Sequence, residues 1–303
     1  MFFKIFFKLF QKSGWRSFLA RFQSSLPSPG ASSLVTSLVA SLIFYTAIPF
    51  DRMVGIKPNF TRIARFAPLV GLILGGLLGG MDSFGAFLGL DLLLRSALIV
   101  CLWIGLTGGL HLDGAMDTAD GWGVSDPQKR LTVMADSRSG AFGVIAAIAI
   151  VLLKTTSLAA LTHHRWLSLC FVAGWSRWSQ VIAIARYPYL KATGKGAFHK
   201  QQFHAPQDWI LGLSILLFFH LGQSLLSAYF PDYLKSAGMG DWKQNLFAIT
   251  IALGLSLWIP SRFYHQFGGH TGDTYGAVVE WTETWLLIGS VSLENFSFKC
   301  GFQ

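Results

Sequence analysis

The run ARFAPLVGLILGGLLGG, residues 64–80, decides the fold of this chain. It carries one charge, Arg65, and is long enough to cross the hydrocarbon of a bilayer, which takes roughly 17–25 apolar residues. Within it Gly71, Gly75 and Gly79 recur every fourth residue, a stripe of small residues on one helical face that lets a neighbouring helix approach closely. Seven further apolar stretches, at about 33–50, 92–110, 140–161, 166–186, 208–230, 245–260 and 274–293, have comparable length. The expectation is therefore an all-α, polytopic integral membrane protein of about seven or eight transmembrane helices.

Composition agrees. Of 303 residues, 52% are hydrophobic and only 13% charged, whereas soluble domains carry about 25% charged residues. The net charge of +9 does not indicate a nucleic-acid partner, because the basic residues are spread over loops instead of forming one stripe. Membrane lipid and phosphate-bearing ligands account for them better. Cys101, Cys170 and Cys300 have no metal-ligand spacing and imply no disulfide framework.

Residues 1–32 differ from the rest. Lys4, Lys8 and Lys12 alternate with Phe, Ile and Leu, which reads either as a basic amphipathic interfacial helix or as a targeting segment, with a linker after it. The expected organisation is this extension, a membrane-embedded catalytic domain over 33–293, and a short tail at 294–303. If the segments from 64 onward all cross, loops 51–65, 111–139, 186–207 and 261–273 share one side. They hold Arg52, Lys57, Arg62, Arg65, Lys129, Arg130, Arg138, Arg186, Lys191, Lys195, Lys200 and Arg262. The opposite loops hold Arg165, Lys235 and Lys243. The positive-inside rule places the first group at the cytoplasmic face of the cell (inner) membrane. Whether 33–50 crosses fully is open, and glycine-rich helices would serve a homo-oligomer as well as a single chain.

The chemistry concentrates on that side. HLDGAMDTADG, residues 111–121, sets Asp113, Asp117 and Asp120 at spacings of four and three, within an arc of roughly 60° on a helix. Asp136 follows in MADSRSGAFG, residues 134–143. Clustered carboxylates repel one another and are costly to desolvate, and a divalent cation removes both costs. Hard oxygen ligands favour Mg²⁺ over Zn²⁺. A solvated helix face or a capping cluster is the bland alternative. Arg62, Arg65, Arg138 and Arg177 are candidate phosphate clamps. Arg177, inside an apolar run between Trp175 and Trp178, needs a partner, expected to be a phosphate or one of the aspartates, with a structural ion pair or a cation–π contact as the alternative. Asp273, Glu280 and Glu283 complete the set, and two glutamates entering an apolar helix require cations or a polar cavity. His111 reads as a ligand-orienting group or as plain interfacial polarity, and the loop around Lys191 and His199 as a contact for an anionic substrate.

These motifs, RIARFAPLVG at 62–71, LTGGLHLDGAMDTADGWG at 106–123, RLTVMADSRSGAFGV at 130–144, AGWSRW at 173–178 and GGHTGDTYGAVVEWTE at 268–283, resemble the cobalamin synthase family of adenosylcobinamide-GDP ribazoletransferases. The resemblance runs from about residue 36 to 292. It implies a late step of vitamin B12 assembly, in which adenosylcobinamide-GDP is joined to α-ribazole or its 5′-phosphate with Mg²⁺ and release of GMP. In that reading Asp113, Asp117, Asp120 and Asp136 are catalytic and metal-binding, and the arginines, Asp273, Glu280 and Glu283 bind substrate. The acid spacing is also similar to CDP-alcohol phosphotransferases, although only the DxxDG part of their pattern is present, at Asp117–Gly121. A transporter is a third, weaker alternative, since no repeated halves are visible.

Overall fold

The structure is a computed structural model and describes residues 34–50, 58–136, 138–163, 165–192, 195–229 and 242–299. The expected features at 1–32, together with Arg52, Lys57 and Lys235, lie outside them. Among the described residues the chain forms eleven α-helices and no strand. In chain order these are α1 (Leu34–Tyr45), α2 (Ala67–Phe87), α3 (Leu92–Leu106), α4 (Leu110–Trp122), α5 (Pro127–Met134) and α6 (Ala141–Ala160). They are followed by α7 (Arg165–Arg186), α8 (Lys195–Gln202), α9 (Gln207–Tyr229), α10 (Trp242–Phe267) and α11 (Gly272–Lys299). Six of the eight apolar stretches read from the sequence lie along single helices, whereas 33–50 is helical over Leu34–Tyr45 and 92–110 is broken.

Helix α7 is the axis of the bundle and is buried along nearly its whole length. Its largest partner is α2, and the glycine stripe is the reason. A Cβ at Gly71 would strike the Ala173 carbonyl, one at Gly75 the Cys170 backbone, and one at Gly79 the Trp166 ring. The two backbones thus touch where side chains would otherwise hold them apart. Leu169, Val172, Trp175 and Trp178 carry the other faces of α7 into the main apolar core.

Among the described residues four helices are long and apolar enough to cross a membrane: Ile63–Phe87, Ala141–Ala160, Gln207–Ser227 and Lys243–Phe267. A fifth span results if α3 and α4 count as one broken span. The shortfall from seven or eight has a physical cause in α7 and α11. These inner helices turn Arg177, Glu280, Glu283 and several Ser and Thr toward each other, so they lack the uniform apolarity of a lipid-facing segment.

The run 92–110, read as one straight segment, is instead broken. α3 and α4 meet at 88°. Gly108 and Gly109 sit at φ 64° and 70°, a left-handed conformation open to glycine and strained for other residues. This corner lays the acidic helix α4 across α6 and α11 instead of leaving it in a loop.

Besides a buried charged cluster formed by Lys154, Arg177, Glu280 and Glu283, polar contacts tie the two ends of the bundle. At one end Arg62 pairs with Asp208 at 2.5 Å, Arg130 donates to the Gln266 carbonyl at 2.7 Å, and Lys191 pairs with Asp273 at 3.0 Å. At the other, Asp82 receives both Arg165 at 2.7 Å and Arg95 at 3.1 Å, and Thr162 donates to Glu294 at 2.6 Å.

Candidate active site

The site is built where α4 and the start of α11 cross. Glycine again sets the spacing. A Cβ at Gly114 would come within 2.6 Å of the Asp273 carbonyl oxygen, and one at Gly276 within 3.0 Å of the His111 carbonyl oxygen. The start of α11 is locked by a reciprocal cap, Thr271 N–H donating to Thr274 Oγ1 (2.7 Å) and Thr274 N–H to Thr271 Oγ1 (3.3 Å). Two loops are zipped together in front of it. Leu190 N–H donates to the His270 carbonyl at 2.8 Å, and His270 N–H to the Pro188 carbonyl at 2.9 Å. This pairing delivers Lys191 to Asp273.

The result is a cavity of about 280 Å³ lined by Tyr45 of α1, His111, Asp113 and Gly114 of α4, Gln180 of α7, Tyr189, Lys191, His199, and Asp273 and Tyr275 of α11. Its buried wall contains polar atoms without a protein partner: Tyr45 Oη, His111 Nδ1, Gln180 Oε1 and Tyr275 Oη. Arg177, one turn before Gln180, does not line the cavity but also keeps Nε and Nη2 without a partner in the interior behind it. Buried polar groups are nearly always satisfied, so several converging on one cavity define a place for a polar ligand.

The four aspartates of the sequence motif separate into distinct roles. Asp113 is exposed and Asp117 half-buried, while Asp120 is buried. Asp117 feels the negative charges of Asp113, Asp273 and Asp120, and Lys191 opposes them. Asp120 accepts the backbone N–H of Gly140 at 2.7 Å and of Gly143 at 2.8 Å, holding the positive end of the α6 dipole. Gly140 and Gly143 are needed for that approach, since a Cβ at either would meet the Asp120 carboxylate. Asp136 stands at the surface, where hydrogen bonds from Arg138 hold its carboxyl down to about 2. Among the described residues no three of His, Cys, Asp and Glu stand close enough together to hold a metal ion.

The candidate clamps are also dispersed. Arg62 ties the turn before α2 to Asp208 at the start of α9, and Arg65 is buried over the Phe66 ring at 4.8 Å. Neither they nor Arg138 line the cavity. Arg177 pairs with Glu283 and not with an aspartate. Glu283 and Glu280 both receive Lys154, with Lys154 to Glu280 at 2.5 Å. Two cations thus meet the two glutamates in the bundle interior, as the cost of burying them demands. Lys154 was not among the sequence candidates. The signal was available, as it is the only charge in AFGVIAAIAIVLLKTTSLAA.

Around the cavity, burial and then the charge of Asp273 push the Tyr189 phenol up, and burial pushes the His270 imidazole down to about 4. Lys200 is pushed down by burial while donating to the Ile184 carbonyl at 2.7 Å, near the end of α7. These groups brace the zipped loops and the helix end from which Lys191 projects.

Helices apolar enough to cross a membrane, around a cavity with unpaired polar groups and a carboxylate-lysine rim, mark a membrane protein with room for a polar ligand. The profile of the cobalamin-5-phosphate synthase family matches residues 37–291, and the chain belongs to that family. It is 51% identical over 247 residues to the adenosylcobinamide-GDP ribazoletransferase of Trichormus variabilis, covering 82% of this chain and 93% of that protein. The protein of the same name from Synechocystis is 44% identical, with coverages of 82% and 92%. That from Pseudomonas paraeruginosa is 35% identical, with 82% and 94%. No solved structure matches the chain. Family membership over this extent sets aside the CDP-alcohol phosphotransferase and transporter readings.

Proposed function

We propose that this chain is an adenosylcobinamide-GDP ribazoletransferase. A ribose hydroxyl of α-ribazole, or of its 5′-phosphate, attacks the phosphorus that bears the cobinamide. The new phosphodiester bond forms as the pyrophosphate P–O bond breaks, GMP departs, and the hydroxyl proton is lost. The observation that carries this reading is the cavity of unpartnered buried polar atoms beneath a rim of Asp113, Asp273 and Lys191. Behind that cavity Arg177 is ion-paired to Glu283 and keeps Nε and Nη2 without a protein partner. Lys191 supplies a positive charge at the rim, held there by the loop pairing.

Asp113, Asp117 and Asp273 do not stand close enough together to form a ligand set by themselves, so Mg²⁺ would be held by one or two of them jointly with the pyrophosphate oxygens of the substrate. The three carboxylates are hard oxygen ligands whose mutual repulsion is opposed by Lys191. When bound, Mg²⁺ would neutralise charge developing on the breaking pyrophosphate. Asp120 then acts from behind, orienting α4 against α6, and Asp136 with Arg138 guards the surface between α5 and α6. The assay is direct. Purified protein given adenosylcobinamide-GDP, α-ribazole and Mg²⁺ should release GMP and form the joined corrinoid in equal amounts, and no GMP under these conditions would defeat the proposal.

The same reading assigns α7 and α11 as further crossings, so that residues 33–293 form a membrane-embedded catalytic domain of seven or eight spans. Its site faces the cytoplasm of the inner membrane, supported by the concentration of lysine and arginine at that end. A single reporter cysteine at Asp126, between α4 and α5, should react with a membrane-impermeant maleimide only after cells are opened. Labelling in intact cells with a permeable outer envelope would reverse the orientation.

A further inference from the structure

The opposite face of α4 borders a second, larger cavity of about 520 Å³. It is a groove between α4, α6, α10 and α11, with Trp122, Phe142, Trp258, Phe263 and Trp285 among its walls. Phe142 and Trp258 are 58% and 53% exposed, so the groove opens outward between helices apolar enough to face lipid. Its lining contains one charge, Arg262. Arg262 is exposed and has no carboxylate within ion-pairing distance among the described residues, while the acids of α4 that line the first cavity, Asp113 and Asp273 opposite it, do not line this one. Arg130 adds a second guanidinium close by, bonded to the Gln266 carbonyl one turn further along α10. Trp122, stacked edge-on against Phe263 and Phe267, gives the groove a rigid wall beneath these cations.

We propose that this groove is a binding site for one anionic phospholipid. Its acyl chain lies along the tryptophans and its phosphodiester head pairs with Arg262. Zwitterionic lipid fills any apolar cleft, but an unpaired arginine over an otherwise uncharged aromatic groove selects for net negative charge. Tryptophans at the polar-apolar boundary suit the amphiphilic ligand. The site is independent of the transfer reaction.

The test is tryptophan quenching in phosphatidylcholine vesicles that contain a small fixed fraction of dibrominated lipid. In the wild-type protein, dibrominated phosphatidylglycerol should quench about twofold more than dibrominated phosphatidylcholine at the same fraction. Arg262→Gln should erase the difference and Arg262→Lys retain most of it. Replacing Trp258 and Trp285 by Phe should shrink the quench. Equal quenching by the two lipids in the wild type, or a preference untouched in Arg262→Gln, would leave only general solvation by lipid and overturn the proposal. Loss of the phosphatidylglycerol quench on adding adenosylcobinamide-GDP would overturn it as well, by giving the groove to substrate.

Discussion

Lys154→Met should be among the most destabilising single substitutions in this protein. Lys154 is 1% exposed, its ammonium lies 4.8 Å from the centre of the Trp103 ring, and it pairs with both Glu280 and Glu283. With Arg177 it balances two glutamates, so the buried cluster is neutral as a whole. Methionine keeps the volume and removes the charge, which leaves two carboxylates facing one guanidinium in a water-poor interior. Breaking a buried ion pair by removing one partner costs about 3–5 kcal/mol. The apparent melting temperature of detergent-solubilised protein should therefore fall on the order of 10 °C. Lys154→Met combined with Glu280→Gln should recover a good part of this, because it restores neutrality and leaves Arg177 with Glu283. A melting temperature for Lys154→Met within about 2 °C of wild type would mean the cluster carries no such charge balance.

That cluster also shows where the sequence was legible and where it was not. Hydropathy located every long helix, because lipid-length apolar runs admit few other structures. It failed at 92–110, where apolarity continues through Gly108 and Gly109 while their backbone turns the chain by 88°. Hydropathy averages side chains and carries no record of φ. The stripe at Gly71, Gly75 and Gly79 announced a close helix contact, but the partner, α7, is a hundred residues away and only the folded chain identifies it.

The site was half visible for the same reason. Helical spacing put Asp113, Asp117 and Asp120 on one face, yet it could not tell which carboxylate meets solvent and which meets a helix N-terminus. Asp120 differs from Asp117 because Gly140 and Gly143, twenty residues on, bring backbone N–H groups to it. Asp273 joins the aspartates through the fold of α11 over Gly114, a contact with no local signature. Tyr45 and Gln180 carry no motif at all. Their part in the cavity is a matter of position, and unsatisfied hydrogen bonding is what reveals it.

The two neighbouring aspartates of α4 should separate cleanly on substitution. Asp117 makes no bond that holds the fold, and it sits amid the repulsion of Asp113, Asp120 and Asp273. Asp117→Asn removes one negative charge from the proposed Mg²⁺ site. Losing several kcal/mol of transition-state charge stabilisation corresponds to a fall in kcat on the order of 100-fold or more. The melting temperature should hold or rise slightly as the repulsion weakens, and Mg²⁺ titration should show weaker binding in a direct calorimetric measurement. Asp120→Asn should behave differently. An amide offers one acceptor where the carboxylate used two, and its NH₂ group would face a backbone N–H of Gly140 or Gly143. That change should cost about 1–3 kcal/mol of stability, so the melting temperature falls together with activity. Asp126 provides the control. It caps α5 through the Gln128 N–H, a role asparagine fills equally well, so Asp126→Asn should leave both measurements near wild type. If Asp117→Asn lost stability while its turnover per folded molecule stayed normal, the exposed edge of α4 would be structural, and the metal would have to be sought elsewhere.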